Sequence, residues 1–163
     1  MTVPIGTIMA YAGAVDGNAK GQLERQGWLV CDVEEYSESD YQELENTIGV
    51  YYGRPSRAGM FKVPDLRGRF VRGVDNGAGR DPDASSRSAS AEGGNTGDMV
   101  GSAQDDEFKS HTHVSTRENV PGDTNMASGT AGFQNYGDTH AAGGAETRPK
   151  NIYVNWIIKA KDV

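Results

Sequence analysis

Residues 61–73 read Phe-Lys-Val-Pro-Asp-Leu-Arg-Gly-Arg-Phe-Val-Arg-Gly, and this run is the most informative stretch of the chain. It predicts short extended pieces around Pro64. Alternation along an extended segment puts Arg67 and Arg69 on one side and Phe70 on the other. Because the guanidinium fork suits fixed pairing with carboxylates, we interpret the charged residues as structural ion pairs. A patch that binds a receptor anion or a sugar is the alternative. The cluster consists of Asp65, Arg67, Arg69 and Arg72.

Strands are predicted at both ends of the chain. Residues 5–12 alternate between larger side chains and mostly small ones, and residues 27–31 (Gly-Trp-Leu-Val-Cys) predict a short buried strand. The clearest pattern is at residues 152–160, where alternate positions form two faces. One face holds Ile152, Val154, Trp156, Ile158 and Ala160. We expect strands from the two ends of the chain to share one sheet.

One short helix is predicted after residue 39. Ser39 and Gln42 have the spacing of a capping box, in which the two side chains satisfy backbone donors at a helix start. Tyr41, Leu44 and Ile48 then fall on one helical face, and a glycine follows as a natural end.

The middle of the chain is poor in apolar residues. Residues 73–147 hold 13 of the 22 glycines and carry 4 basic against 12 acidic side chains. Such a segment cannot bury enough apolar surface by itself to offset its ordering entropy. It is therefore either disordered or ordered by other copies of the chain, by a metal or by the flanking core. Its acidic stretch lacks the glycine and glutamate of a helix-loop-helix calcium site, and we interpret it as a solvated loop. That stretch contains Asp75, Asn76, Asp81 and Asp83.

Composition excludes several classes of function. The formal net charge of −7 argues against binding to a nucleic-acid backbone, and no apolar run is long enough to span a membrane. We expect no signal peptide, because residues 1–6 lack a basic region and a long apolar stretch. The single cysteine, Cys31, excludes an internal disulfide, and we interpret it as a buried structural thiol. No nucleophile elbow or phosphate loop is visible, so we expect no enzymatic activity.

Six separate runs resemble the phage tail collar domain family. The 61–73 run is the most specific of them, and the others occur in the family's order along nearly the whole chain. They are residues 4–8 (Pro-Ile-Gly-Thr-Ile), 27–32 (Gly-Trp-Leu-Val-Cys-Asp), 100–106 (Val-Gly-Ser-Ala-Gln-Asp-Asp), 110–113 (Ser-His-Thr-His) and 146–151 (Glu-Thr-Arg-Pro-Lys-Asn). The family usually continues Cys-Asp-Gly, whereas Val33 follows here, which predicts a different turn after Cys31.

The resemblance implies an α+β, β-rich fold with much irregular structure. We expect residues 1–73 to form a small collar-type sheet with one short helix. Residues 74–147 are expected to form an extended Gly/Asp-rich insertion, intertwined in a homotrimer, and residues 148–163 to return to the core as a strand.

A metal site is implied by the pair His111 and His113. On a strand this spacing puts both imidazoles on one side, and three chains around a three-fold axis supply six nitrogens. In tail-fibre relatives such pairs bind a metal on the trimer axis, so the resemblance implies a transition metal ion, such as iron or zinc, here. The alternative is an exposed pair in an acidic loop that binds nothing.

A ligand-binding loop is predicted within residues 114–145, which are rich in Gly, Ser, Thr and Asn. Amides beside an exposed aromatic ring are typical of loops that bind sugars, although ordinary loops share this composition. Burial in a trimer core is the competing interpretation of the two aromatic rings. The residues concerned are Phe133, Gln134, Asn135 and Tyr136.

Taken with the family, these features predict a trimeric, adhesin-like receptor-binding tip that recognises a cell-surface ligand, with carbohydrate as the expected ligand class. The expected location is a virion tail or a phage-like particle, with other tail-fibre subunits as further partners. The alternative is a structural cap or assembly subunit of such a particle, without a receptor of its own.

Overall fold

The computed structural model describes residues 3–107, 110 and 148–163. Contacts divide the chain into two units, residues 1–105 with 150–163 and residues 106–149. The first unit contains all of the described helices and strands. In chain order these are β1 (Ile8–Tyr11), α1 (Gly17–Arg25), β2 (Trp28–Val30), β3 (Glu35–Ser37), α2 (Gln42–Ile48), β4 (Met60–Lys62), the 3-10 helix Ala84–Ser86, β5 (Ser88–Ala89), β6 (Ser102–Ala103) and β7 (Asn155–Lys159).

The central sheet joins the two ends of the chain. Its strand order is β1-β7-β2, with antiparallel pairing throughout. Ile158 of β7 lies between Ile8 of β1 and Leu29 of β2. The prediction that the terminal strands share one sheet is therefore confirmed. The last strand is shorter than predicted, because Ile152 and Val154 precede β7 and are exposed.

Both faces of this sheet bury apolar side chains. Leu29 and Ile158 point into the main core, whereas Val30 and Ile157 pack with Leu23 of α1 on the opposite face. The described residues thus contain two α-helices where the sequence predicted one helix. Helix α1 has no apolar periodicity to reveal it, since Leu23 is its single buried residue.

Helix α2 occupies the predicted position but begins differently. Leu44 and Ile48 are buried as expected, and the helix ends at Gly49, whose φ of 44° suits glycine. The capping box does not form: no side chain caps α2, and the Ser39 hydroxyl instead hydrogen-bonds to the Ser37 hydroxyl at 2.8 Å.

The first half of the 61–73 run enters the core. Phe61 in β4 pairs with Tyr36 in β3, and Val63 and Pro64 are fully buried. The Leu66 amide then donates to the Cys31 carbonyl at 3.1 Å. Beyond this point the run reaches the surface, where Phe70 is 65% exposed.

Residues 74–104 fold against the turn at residues 51–54. The Arg54 amide donates to the Glu92 carbonyl at 2.8 Å, and the Asn95 amide donates to the Tyr51 carbonyl at 3.0 Å. A Cβ on Gly101 would lie 2.3 Å from the Tyr51 carbonyl oxygen, so this contact requires glycine. The flanking core therefore helps to order this half of the apolar-poor segment, for which the sequence left several sources of order open.

Candidate functional site

A buried ionic network organises residues 74–104. Arg87 donates to the Asp81 carboxylate through Nε and Nη2, at 3.1 and 2.8 Å, and through Nη2 to Asp98 at 3.2 Å. The side chains of Arg87 and Asp81 are only 8% and 4% exposed. We call Asp81, Arg87 and Asp98 the Arg87 network. The pairing satisfies charges that would be costly to bury alone, since buried charges are tolerated only when they are paired and hydrogen-bonded.

Asp75 forms the second centre of this segment. Its carboxylate accepts hydrogen bonds from the amides of Gly79, Arg80 and Asp81, at 2.7, 2.7 and 2.9 Å. These donors, with the Arg80 amide first, lower the pKa of the Asp75 carboxyl. The interpretation of this acidic stretch as a solvated loop is therefore wrong for Asp81, which is buried, whereas the Asp75 carboxylate is partly exposed and accepts hydrogen bonds from the chain itself.

The predicted charged cluster of residues 65–72 is divided in the structure. Arg67 binds both Asp65 oxygens, at 2.8 and 2.7 Å, and this hydrogen bonding lowers the pKa of the Asp65 carboxyl. Arg69 adds only a longer-range attraction to Asp65. Arg72 instead lies 3.6 Å from Asp81, at the edge of the Arg87 network.

Two exposed apolar segments flank the insertion. The Cys31 amide donates to the Trp156 carbonyl at 2.9 Å, and the Cys31 carbonyl accepts from Leu66. The chain thus leaves the core at Leu66 and re-enters it at Trp156, and both residues are hydrogen-bonded to Cys31. We call residues 67–71 and 150–153 the stem segments. Their large apolar side chains are exposed to 65%, 53%, 89% and 77% at Phe70, Val71, Ile152 and Tyr153.

The Cys31 thiol itself is buried in the core between these segments. Burial, followed by the charges of Asp32 and Asp65, raises the pKa of this thiol to about 12. A thiol that stays protonated is a poor nucleophile and a poor metal ligand. This agrees with the structural role that we predicted for Cys31.

The predicted metal ligands His111 and His113 lie outside the described residues, and so do Phe133, Gln134, Asn135 and Tyr136. Within the described ranges, no group of three or more His, Cys, Asp or Glu side chains is placed to hold a metal ion. Neither described helix is long and apolar enough to cross a membrane.

Sequence reasoning missed Arg87 and Asp98. No motif marks them, and charge alternation in a Gly-rich stretch has the same appearance in a solvated loop as in a buried network. The one usable signal was Asp75-Asn76-Gly77, which is typical of a turn whose side chain accepts backbone hydrogen bonds.

Comparisons with known proteins assign residues 6–71 to the family described as Phage Tail Collar Domain. Protein RhiB of Rhizobium leguminosarum bv. viciae is 37% identical, over 97% of this chain and 77% of that protein. The short tail fiber protein gp12 of Enterobacteria phage T4 is 28% identical, over 99% of this chain but 36% of gp12. The uncharacterized protein StfE of Escherichia coli (strain K12) is 31% identical, over 82% of this chain and 79% of that protein.

Proposed function

This chain belongs to the phage tail collar domain family, and from that premise we propose that it is the receptor-binding tip of a tail fibre. In this proposal it acts without enzymatic activity, in a virion tail or a phage-like particle, and contacts other tail-fibre subunits. The observation that carries the proposal is the similarity to a short tail fibre protein over 99% of this chain, which extends well beyond the collar domain.

The chain is proposed to act as a homotrimer. The stem segments support this, because they expose four large apolar side chains at the two points where the insertion joins the core. Full burial of one such side chain contributes about 1.5–3 kcal/mol, so covering the stem segments with other copies of the chain is favourable. The resemblance to the phage tail collar domain family implies a trimer as the arrangement of those copies.

The receptor is proposed to bind residues 114–145, with Phe133, Gln134, Asn135 and Tyr136 as the contact residues. The ligand class that we favour is a cell-surface carbohydrate, because aromatic faces stack on sugar rings and amides form hydrogen bonds to hydroxyl groups. Three such sites on one trimer gain avidity that a single weak site lacks.

His111 and His113 are the proposed metal ligands. Imidazole suits iron, zinc and nickel, so the donor chemistry fits a transition metal. When bound, the metal would cross-link three chains; the histidines would contribute neutral nitrogen ligands and hold their segments together. Six nitrogens leave no open position for a substrate, which fits a structural role.

Receptor binding is tested with a glycan array and intact cells, using wild-type protein and the variants Phe133→Ala and Tyr136→Ala. Selective hits that both variants lose, at an unchanged melting temperature, are the expected result. Tyr51→Ala, at an exposed tyrosine outside the loop, is the matched control and should bind as wild type does. An array without selective hits would favour the structural cap, and variants that lose stability instead would place these rings in a core.

Assembly and metal binding are tested on protein purified without an affinity tag. Native mass spectrometry should report a trimer, and elemental analysis should find a transition metal that the double variant His111→Ala/His113→Ala lacks. A folded monomer at micromolar concentration contradicts the trimer. A metal-free trimer whose stability the double variant leaves unchanged contradicts the metal site.

A further inference from the structure

A cleft at the start of the insertion has no role in the function proposed above. It has a volume of about 240 Å³ and is formed by residues 72–75, 78, 80 and 81. This is equivalent to about eight water molecules, and it is smaller than the ~300–1,000 Å³ of pockets for drug-sized ligands. The cleft therefore has room for one small polar molecule that is larger than a simple ion.

The carboxylate oxygens in this cleft already accept hydrogen bonds from other groups of the chain. Both oxygens of Asp75 accept backbone amides, and Asp81 accepts from Arg87 and from the Asp83 amide. Asp98 neutralises Arg87 in addition. A ligand that mainly donates hydrogen bonds would find few free partners here.

The arginine side chains that line the cleft can still donate hydrogen bonds to a ligand. The Arg72 guanidinium lies 3.6 Å from Asp81, beyond hydrogen-bonding distance, and its side chain is 62% exposed. Asp81 is already bound by the closer Arg87, so it satisfies Arg72 poorly. Arg80 is exposed and forms no ion pair with the part of the chain that the structure describes. Two arginines line this cleft, and arginine recognises carboxylate and phosphate in the same bidentate way, so the chemistry of the lining favours a ligand with an anionic group.

The remaining wall of the cleft is apolar. Val74, Ala78 and the backbone of Gly73 supply it, and no atom lies within 4 Å of a Cβ built on Gly73. A sugar ring has a face of C–H groups that suits such a wall, while its hydroxyl groups can face solvent.

We propose that the cleft bounded by Arg72 and Arg80 binds an anionic saccharide unit, a sugar ring that carries a carboxylate or a phosphate. Its anionic group lies between the two guanidinium groups, and its ring lies against Val74 and Ala78. The choice of a saccharide over other small anions rests on the proposed receptor-binding function. The cleft shares no residue with the proposed contact residues 133–136.

The test measures binding of four probes to the full chain by titration calorimetry at low ionic strength. The probes are glucuronic acid, glucose 6-phosphate, neutral glucose and inorganic phosphate. We expect at least one charged sugar to bind with a Kd of about 1 mM. Arg72→Gln and Arg80→Gln should each weaken that binding by about tenfold or more, as the loss of a hydrogen bond to a charged group predicts. Tighter binding of glucuronic acid would identify a carboxylate as the anionic group, and tighter binding of glucose 6-phosphate would identify a phosphate.

The matched control is Arg57→Gln, at an exposed arginine outside the cleft that forms no ion pair within the described ranges. It should bind as wild type does. The proposal is overturned if glucose binds as tightly as the charged sugars, if inorganic phosphate binds as tightly as glucose 6-phosphate, or if the double variant Arg72→Gln/Arg80→Gln retains full affinity. Because Phe133→Ala and Tyr136→Ala leave the cleft intact, they should lose cell binding but keep the charged sugar. The two proposals can therefore fail separately.

Discussion

Replacing Val33 with glycine should stabilise the protein. Val33 has a φ of 70°, in the left-handed region that β-branched residues avoid. It keeps this conformation because its amide donates to the Pro64 carbonyl at 3.3 Å, beside the bridge between Asp32 and Asp65. The strain therefore lies where the chain after β2 joins the 61–73 run.

The magnitude follows from two opposing terms. A left-handed conformation costs an L-residue about 1–2 kcal/mol, and Val33→Gly removes this cost. Glycine adds unfolded-state entropy worth roughly 0.5–1 kcal/mol. We therefore expect the free energy of unfolding to rise by roughly 0.75 kcal/mol, the middle of a range of about 0–1.5 kcal/mol. Val33→Asn should also gain, because asparagine tolerates this region, whereas Val33→Ala should gain less than either.

The assay is urea unfolding at a fixed protein concentration, so that assembly contributes equally to every variant. Val50→Gly is the control, because Val50 is a half-exposed valine in a turn with an ordinary φ. It should lose about 0.5–1 kcal/mol. If Val33→Gly destabilises the protein, or if Val33→Ala gains as much as Val33→Gly, the strain argument is wrong.

Three further predictions concern buried or paired groups. Arg87→Ala should lower the free energy of unfolding by about 3–5 kcal/mol, because it leaves Asp81 and Asp98 without their cation. Limited proteolysis should then cut the variant within residues 74–104, and a variant that stays uncut would refute this. Cys31, with its pKa raised to about 12, should not react with a thiol reagent at pH 8 until urea is added; rapid labelling of native protein would contradict its burial. The pKa of the Asp75 carboxyl is lowered in the folded protein. The carboxylate therefore contributes to stability above the unfolded pKa of about 3.9, and this contribution is lost as pH falls through the folded pKa. Asp75→Asn should therefore lose stability at pH 7 and show a weaker decline in acid, and an unchanged acid profile would argue against this role.

The sheet could be predicted because its signals are local and strong. Ile157 and Ile158 lie in an alternating run, and Leu44 and Ile48 have helical spacing, so apolar periodicity located both elements. Helix α1 could not be predicted this way, because it presents Leu23 alone to the sheet.

The Arg87 network was beyond sequence reasoning for a different reason. Its stability comes from the geometry of paired charges, and Arg87, Asp81 and Asp98 reach one another only after a Gly-rich backbone has turned several times. The excess of acidic side chains in the sequence predicts a solvated loop. Proximity in sequence likewise groups Asp65 and Arg72 in one charged cluster, although the structure gives them different partners.

The attachment of both stem segments to Cys31 has a consequence for how such chains diversify. Hydrogen bonds at that one residue close the whole stretch from Leu66 to Trp156. The entropy of closing a loop grows only slowly with its length, by about 0.6 kcal/mol for each doubling. Evolution can therefore lengthen, shorten or exchange residues 106–149, which belong to the second unit, at little energetic cost to the sheet. In protein engineering, the same property makes the first unit a display scaffold, into which a foreign binding segment can be spliced between residues 106 and 149.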